Sequence, residues 1–445
     1  MAALRGAFTR AGYDEERIAG ALRVDPPAQG ARARANVRRL PEDDPLGTLV
    51  RLFMVGDAVP RTQAERALDV ADACAAGLLT IDGDRVEAPF AVVEWQRLLV
   101  AHDHETALPL PADHVTGISN ATRTLAALTM RSPVDRALDI GTGCGTQALL
   151  TSRHAREVVA TDITSRALDV ARLNLALNGV ANVELREGSF FEPVAGELFD
   201  LIATNPPFVV SPDSELVFRD GGLERDDVSR LVVTELPRHL TTGGFASTLV
   251  CWAHGADEDW SRPLREWLAG SGCDAFVVRY VVEDPLEYAL KWADADAVDR
   301  WVEYYRDAGI EALSTGGVVL RKRADRAEGW IETAEAETGP TGPASDQLVR
   351  IFAARDFDGD LLDERLALAP HRLEERLAWQ DGAYRPEHLA LALDEGVGVE
   401  VAVDPAALPA LFALNGDRPL RELPDAEAAL PTVRRLFALG FAERA

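Results

Sequence analysis

Residues 119–323 alternate between short apolar segments and longer amphipathic ones, and this alternation constrains the fold more than any other feature of the chain. Short β-branched segments separated by helical periodicity are typical of parallel strands joined by crossover helices, so we predict a parallel sheet with helices on both faces. The predicted strands are residues 136–141, 158–163, 183–188, 200–205, 245–252, 275–282 and 317–323. Residues 163–179 are predicted to form a crossover helix that ends at Gly179, and residues 285–309 a single helix between the last two strands.

The first predicted strand runs directly into a glycine-rich segment, residues 139–145 (DIGTGCG). In open sheets of this kind ligands bind at the carboxyl ends of the strands, and glycine lets the backbone approach a ligand closely. The second strand ends at Asp162, 21 residues after Gly141, where a carboxylate can accept hydrogen bonds from both hydroxyl groups of a ribose. Together these features predict a site for a ribose-containing ligand. The alternative is a tight strand–helix turn with a capping aspartate.

The fourth predicted strand ends in residues 205–208 (NPPF). Two consecutive prolines stop the hydrogen-bond ladder of a strand and fix the backbone that follows. They would hold the side chain of Asn205 and the carbonyl of Pro206 at the mouth of the sheet, where two acceptors suit a planar NH2 group. Accepting both N–H hydrogen bonds directs the nitrogen lone pair at an electrophile, and the ring of Phe208 can stack on a flat amide or base. The alternative is a turn that merely ends the strand.

These two segments resemble motifs of a known family. Residues 139–145 resemble motif I of class I methyltransferases that use S-adenosyl-L-methionine, and residues 205–208 resemble the (N/D)PP(F/Y/W) signature of amino-methyltransferases. Residues 188–194 (GSFFEPV) and 219–227 (RDGGLERDD) are similar to further segments of the family, the second to glutamine-modifying members. The resemblance covers about residues 119–323. It implies a Rossmann-like, seven-stranded methyltransferase domain similar to release-factor glutamine methyltransferases and rRNA guanine-N2 methyltransferases.

The resemblance also implies a role for individual residues. The implied catalytic residues are Asn205, Pro206, Pro207 and Phe208. The implied contacts to S-adenosyl-L-methionine come from Asp139, Gly141, Thr142, Gly143, Cys144, Gly145, Asp162, Ile163, Ser189, Phe190 and Asn205. The family usually has aspartate, which contacts the adenine amine, at the position of Ser189, so a lower cofactor affinity or a rearranged contact is expected. Phe208 replaces a usual tyrosine and Cys144 a common serine, and neither change removes chemistry.

The implied reaction is a direct in-line displacement, in which a planar nitrogen of the acceptor attacks the methyl group on the sulfonium. The predicted enzyme is therefore an S-adenosyl-L-methionine-dependent N-methyltransferase. Its partner is an acceptor with a planar NH2 group, and no metal ion is expected to take part.

Separate domains are predicted on either side, residues 1–118 and residues 324–445. Residues 1–40 are predicted to form a polar helical arm. Residues 46–99 contain three helical segments followed by a hairpin around residues 82–84, a pattern that favours a winged-helix-like module.

The C-terminal domain is predicted to be α+β. Residues 408–442 weakly resemble residues 49–79, since both contain a Leu-Phe helix end, a Gly-Asp turn and a closing Gly-apolar pair. A second winged-helix-like module is therefore one hypothesis for this region.

Composition excludes several classes of function. The formal net charge is −27, from 46 Lys and Arg against 73 Asp and Glu, which disfavours tight binding to a phosphate backbone. The four cysteines show neither a zinc spacing nor a disulfide framework. No run of 18 apolar residues and no signal-peptide pattern is present, so we expect a cytoplasmic protein without a membrane partner. The histidines at 102, 104 and 114 are interpreted as structural.

Four hypotheses for the function stay open. A protein glutamine is the favoured acceptor, because the D-G-G segment and the acidic charge support it. An RNA or DNA base is the second, supported by the locally basic residues 31–40. A small molecule is the third, because winged-helix-like modules also serve dimerisation in natural-product methyltransferases. A DNA-binding regulator with a cofactor-sensing domain is the fourth, and the intact residues 205–208 argue against it.

Overall fold

The structure is a computed structural model, which describes residues 1–23, 31–104, 110–213, 219, 223–323 and 329–445. The chain forms two compact units, residues 1–122 with 133–224 and residues 123–132 with 225–445. The domain boundaries predicted near residues 118 and 323 fall inside these units, so the three-domain division stays a prediction.

The α-helices are α1 (Ala2–Ala11), α2 (Glu15–Leu22), α3 (Ala31–Asn36), α4 (Pro45–Leu49), α5 (Arg61–Ala67), α6 (Val70–Ala75), α7 (Asn120–Leu128), α8 (Thr146–Thr151), α9 (Ser165–Asn178), α10 (Asp227–Glu235), α11 (Arg262–Leu268), α12 (Pro285–Trp292), α13 (Val298–Asp307), α14 (Ser345–Asp356), α15 (Leu408–Leu411) and α16 (Ala426–Ala438). A π-helical segment, Val50–Val55, continues α4. Short 3-10 helices are Val37–Arg39, Glu192–Val194, Leu236–His239, Leu361–Asp363, Pro405–Ala407 and Leu420–Glu422.

The strands are β1 (Val59–Pro60), β2 (Thr80–Asp82), β3 (Arg85–Glu87), β4 (Ala91–Trp95), β5 (Leu98–His102), β6 (Val134–Ile140), β7 (Ala155–Asp162), β8 (Val183–Glu187), β9 (Phe199–Thr204), β10 (Leu240–His254), β11 (Cys273–Glu283), β12 (Ala312–Lys322), β13 (Ile331–Glu335), β14 (Arg365–Leu368), β15 (His371–Gln380), β16 (Ala383–Leu393), β17 (Glu400–Ala402), β18 (Asn415–Pro419) and β19 (Ala442–Arg444). All seven strands predicted for residues 119–323 are present, as β6 to β12.

Four parallel strands form the centre of the first unit, in the order β9-β6-β7-β8. Helices α8 and α9 connect them, which confirms the Rossmann-like α/β fold. The predicted crossover helix is α9. Its start is fixed by Thr164, whose side chain accepts a hydrogen bond from the amide of Ala167, and its end by Gly179 in the left-handed conformation (φ 70°).

The N-terminal helices belong to a core rather than to a polar arm. Leu4, Phe8 and Ile18 are buried in one cluster with residues of α4, its π-helical continuation and α9, including Leu177. The prediction of a polar arm was therefore wrong, because the apolar residues of two short helices supply a buried face that their many charged residues obscure in the sequence.

The predicted three helices and hairpin of residues 46–99 are present as α4, α5, α6 and β2–β3. The structure adds β1, which pairs with β3 in a small sheet of order β1-β3-β2. The winged-helix interpretation of this arrangement stays a prediction.

The prediction of a parallel sheet was wrong for the last of the seven strands, because β12 in the second unit pairs antiparallel with both β10 and β11, whereas β13 lies parallel to β11. The single helix predicted for residues 285–309 was wrong, because α12 ends where Ala293 adopts an extended conformation (ψ 152°) and α13 starts after Ala297. The intervening acidic residues Asp294 and Asp296 are weak helix formers.

The C-terminal part of the second unit is α+β, as predicted, with two three-stranded sheets of order β18-β14-β19 and β15-β16-β17. One 13-residue helix, α16, stands where the N-terminal segment has the two shorter helices α5 and α6, so the internal repeat stays a prediction.

Among the described residues, no helix has the length and apolar character that crossing a membrane requires. The four cysteines are free thiols.

Candidate active site

A cavity of about 360 Å³ opens in the first unit at the carboxyl ends of the parallel strands. Residues 139–144, 161–164, 188–190 and 204–207 line it. Each of these segments follows or ends one of β6, β7, β8 and β9, since parallel strands bring their carboxyl ends to one edge. The structure therefore brings together all the predicted site residues except Gly145 and Phe208, which are not part of the cavity wall.

The glycine-rich loop after β6 is open towards the cavity. Gly141 and Gly143 have φ angles of 67° and 55°, and a Cβ added to either would meet no atom within 4 Å beyond its two neighbouring residues. Gly145 (φ 84°) has a different role, because its Cβ would approach the Cβ of Ala171 on α9 to 3.2 Å. We infer that the first two glycines leave room for a ligand and the third lets α8 pack closely on α9.

Asp139 holds this loop from inside the protein. Its Oδ2 accepts hydrogen bonds from the Thr142 hydroxyl (2.6 Å) and the Ala148 amide (2.9 Å), and the side chain is buried. Burial raises the pKa of Asp139 to about 7, although the two hydrogen bonds oppose the rise. Cys144, near the end of the same loop, is also buried, and burial raises the pKa of its thiol.

Asp162, at the end of β7, is half-buried and already bonded through both oxygens. Oδ2 accepts from the amide of Gly143 (2.9 Å), and Oδ1 accepts from the amide and hydroxyl of Thr164. Each carboxylate oxygen can accept more than one hydrogen bond, so the group can still receive a ligand hydroxyl. The neighbouring Ile163 has an apolar side chain that is 54% exposed and lines the cavity.

Ser189 and Phe190 lie at the end of β8. Phe190 has a positive φ of 45°, a strained conformation for an aromatic residue, and strain of this kind is concentrated at functional sites. The next residue, Phe191, is 8% exposed and belongs to the interior. Of the two phenylalanines, Phe190 is the one that lines the cavity.

Asn205 follows β9 and provides the most distinctive polar group of the cavity. The hydroxyl of Thr204 donates to the carbonyl of Ile140 at 3.0 Å, which ties the ends of β9 and β6 together. The Oδ1 atom of Asn205 is buried and has no hydrogen-bond partner among the described residues. Pro206 and Pro207 complete this wall, whereas the predicted stacking role of Phe208 stays a prediction.

Sequence reasoning missed one wall of the cavity, residues 112–117. His114, which we interpreted as structural, lies in this wall and is 5% exposed. The wall has no periodicity or motif that marks it in the sequence, and only the fold places it beside the glycine-rich loop. Residues 220–222, the D-G-G residues, lie outside the described residues.

Two asparagines of α9 were also missed. The side chain of Asn174 exchanges two hydrogen bonds with the backbone of Ala101 and donates a third to the carbonyl of Cys144. Asn178 makes the same pair of bonds with Leu99. The amides thus join the outer edge of β5 to α9, and Asn174 fixes the glycine-rich loop as well. The spacing of the two asparagines, four residues apart on one face of α9, is the sequence feature that could have indicated these contacts.

Within the described part of the chain, no group of three or more His, Cys, Asp or Glu side chains is placed to hold a metal ion.

Residues 115–247 match the family model described as the methyltransferase small domain. The chain carries a methyltransferase domain. Residues 10–89 match a second family model, described as a domain of unknown function. The methyltransferase match includes the glycine-rich loop, Asp162 and Asn205, so the domain and the cavity coincide.

Curated relatives of the methyltransferase domain have names that mention glutamine. The release factor glutamine methyltransferase of Xylella fastidiosa is 35% identical over 133 residues, covering 27% of this chain and 48% of that protein. The ribosomal protein uL3 glutamine methyltransferase of Bradyrhizobium diazoefficiens is 37% identical over 125 residues, covering 25% of this chain and 39% of that protein. This chain therefore spans less than half the length of these two relatives.

A solved methyltransferase from Pyrococcus furiosus is 18% identical, covers 45% of this chain and 80% of its own, and superposes with a TM-score of 0.30.

Proposed function

We propose that the methyltransferase domain transfers a methyl group from S-adenosyl-L-methionine to the side-chain amide nitrogen of a protein glutamine. The observation that carries this proposal is the buried, unpartnered Oδ1 of Asn205 in the cavity wall. A buried amide oxygen without a hydrogen bond is costly, so a ligand that donates an N–H group to it is favoured.

The cavity fits the cofactor. Gly141 and Gly143 leave open space at the loop, Asp162 presents a carboxylate, and Ile163 offers an apolar surface to a flat ring. Thr161 adds a second buried oxygen, a hydroxyl, that has no partner within the described ranges. When bound, the cofactor supplies a methyl group activated on a sulfonium. The protein's part is to hold donor and acceptor in line.

Asn205 and Pro206 orient the acceptor. The Oδ1 of Asn205 and the carbonyl of Pro206 would accept hydrogen bonds from the two N–H groups of the planar NH2 group, which would leave its nitrogen lone pair free to face a methyl donor. The backbone that carries Asn205 is fixed on both sides, by the Thr204–Ile140 hydrogen bond before it and by the two prolines after it.

Two observations support glutamine over a nucleic-acid base. The relatives named above modify glutamine in a release factor and in a ribosomal protein, according to their names. The net charge of −27 gives no general attraction for a phosphate backbone.

A labelling experiment tests the proposal. The protein is incubated with methyl-tritiated cofactor and a cell lysate separated into protein, nucleic-acid and small-molecule fractions. We expect label in the protein fraction, and acid hydrolysis should release it as methylamine, because a methylated glutamine amide hydrolyses to glutamate and methylamine. Label in nucleic acid or small molecules, or label in protein that stays on the amino acid after hydrolysis, would contradict the glutamine assignment.

A further inference from the structure

Arg166 and Asp103 form a paired, charge-assisted contact beside the cavity that the proposed reaction does not use. Arg166 lies in the first turn of α9, four residues after Asp162. Its two terminal nitrogens each donate to one oxygen of Asp103 at 2.6 Å. The Asp103 side chain is only 11% exposed. Paired bonds of this geometry are both strong and directional.

The same pair holds the cavity wall of residues 112–117. Asp103 Oδ2 also accepts from the amide of Val115 (2.8 Å), and the amide of Asp103 donates to the carbonyl of Val115 (3.1 Å). Arg166 donates in addition to the carbonyl of Asp113 (3.0 Å). The wall is therefore bonded to the turn of the helix that begins directly after the Asp162 loop.

A second attachment fixes the chain just beyond the wall. The side chain of Gln147, in the first turn of α8, donates to the carbonyl of Thr122 at 2.9 Å. Helices α8 and α9 begin after the glycine-rich loop and after the Asp162 loop, respectively. Residues 112–122 are thus held at both of the loops that the cofactor is expected to contact.

Loss of either Arg166 or Asp103 would disturb the wall more than loss of an exposed ion pair would. Burial alone would raise the pKa of Asp103, yet the Arg166 guanidinium and the Val115 amide together hold it below its usual value. Without Arg166 the Asp103 carboxylate would be left largely out of water, a costly arrangement that favours displacement of the wall.

We propose that Arg166 is a positioning residue that sets the affinity for the cofactor, by holding residues 112–117 through Asp103 as one wall of the cavity. This inference rests on the proposed function, because it assumes that the cofactor occupies the cavity. Arg166 itself acts through the wall and through Asp103.

Calorimetric titration of S-adenosyl-L-methionine into the purified full-length protein tests the proposal. Arg166→Ala should raise the Kd by a factor on the order of 10, while kcat at saturating cofactor stays nearly unchanged. Arg166→Lys keeps the charge but not the paired geometry, so its Kd should lie between those of Arg166→Ala and the unchanged protein.

The matched control is Arg172→Ala on the same helix. Arg172 pairs with Asp169 at 2.5 Å, but both side chains are exposed, so its loss should leave the Kd unchanged. Asp103→Asn should raise the Kd about as much as Arg166→Ala does. The double variant should have a Kd no higher than that of the more affected single variant, because both changes release the same wall.

Three results would overturn the proposal. One is an unchanged Kd in Arg166→Ala, whatever its thermal stability, since this would show a role in folding alone. Another is an equal loss in Arg172→Ala. The third is the absence of cofactor binding by the unchanged protein, which would overturn the proposed function with it. If Arg166→Ala does not fold, Arg166→Lys and Asp103→Asn decide by the same criterion.

Discussion

The glycine-rich loop after β6 and the Asn-Pro-Pro turn after β9 stand at the ends of neighbouring strands, yet their polar groups are satisfied to different degrees. In and around the loop, Asp139, the carbonyl of Cys144 and the neighbouring Asp162 at the end of β7 all accept hydrogen bonds from the protein. In the turn, the Oδ1 of Asn205 is buried without a partner in the part of the chain that the structure describes.

This difference indicates that the loop and the turn contribute to binding in different ways. A loop whose own hydrogen bonds fix its shape can receive a ligand without reorganising, which lowers the cost of binding. A turn that retains a buried acceptor becomes fully satisfied only when a donor arrives, so it discriminates against acceptors that lack an N–H group. We therefore expect changes in the turn to affect transfer, and changes in the loop to affect cofactor binding and stability.

Asn205→Ala provides the largest expected effect. Removing the acceptor that orients the NH2 group should lower kcat by a factor on the order of 1,000, because the nitrogen loses its alignment with the methyl carbon. The Kd for the cofactor, measured by calorimetry, should stay within a few-fold of its original value.

Asn205→Asp is the matched control, since the family signature admits either residue and the aspartate retains an acceptor oxygen. It should keep measurable transfer. Full turnover by Asn205→Ala would contradict the expectation that changes in the turn affect methyl transfer while changes in the loop affect cofactor binding.

Asp139 gives the second largest effect, on stability. Its pKa is about 7 in the folded protein, against 3.8 for an ordinary aspartate, so the folded state binds a proton that the unfolded state has released. Its contribution to stability is therefore complete below pH 4 and is lost as the pH rises towards 7. Between pH 5 and pH 8 the free energy of unfolding should fall by an amount on the order of 3 kcal/mol from this group.

Denaturant titrations at both pH values check this prediction. Asp139→Asn should remove most of that decrease, whereas Asp169→Asn, at an exposed position of α9, should leave it intact. An identical pH dependence in Asp139→Asn would show that another group is responsible.

Asp162→Ala should have the smallest effect of the three. It removes the acceptor for the amide of Gly143 and for a ribose hydroxyl, so the Kd for the cofactor should rise by a factor on the order of 10. Because Asp162 does not orient the acceptor, kcat at saturating cofactor should change little. Calorimetry and initial rates on the same preparation would separate the two quantities, and a large fall in kcat with unchanged Kd would reverse our assignment.

Much of the methyltransferase domain could be predicted because its signals are local. The strands β6 to β12, the helix α9 and the two motifs each follow from periodicity, glycine and proline within a few residues. Parallel pairing then brings the motifs to one edge without further information.

The missed features depend on contacts between distant residues. Arg166 and Asp103 are 63 residues apart, and Asn174 and Ala101 are 73 apart, so no window of sequence shows either partnership. The buried face of α1 and α2 was missed for a related reason. A short helix with many charged residues has too few apolar positions to give a clear pattern, and its burial depends on packing against other elements.

The two asparagines of α9 limit how far the chain can be shortened from its N-terminal side. A fragment beginning at residue 119 would keep residues 119–247 of the family match. It would lack β5, however, the strand that forms hydrogen bonds with the fully buried side chain of Asn174. We therefore expect a stable fragment that keeps the cavity to start before the β4–β5 hairpin, at or upstream of Ala91.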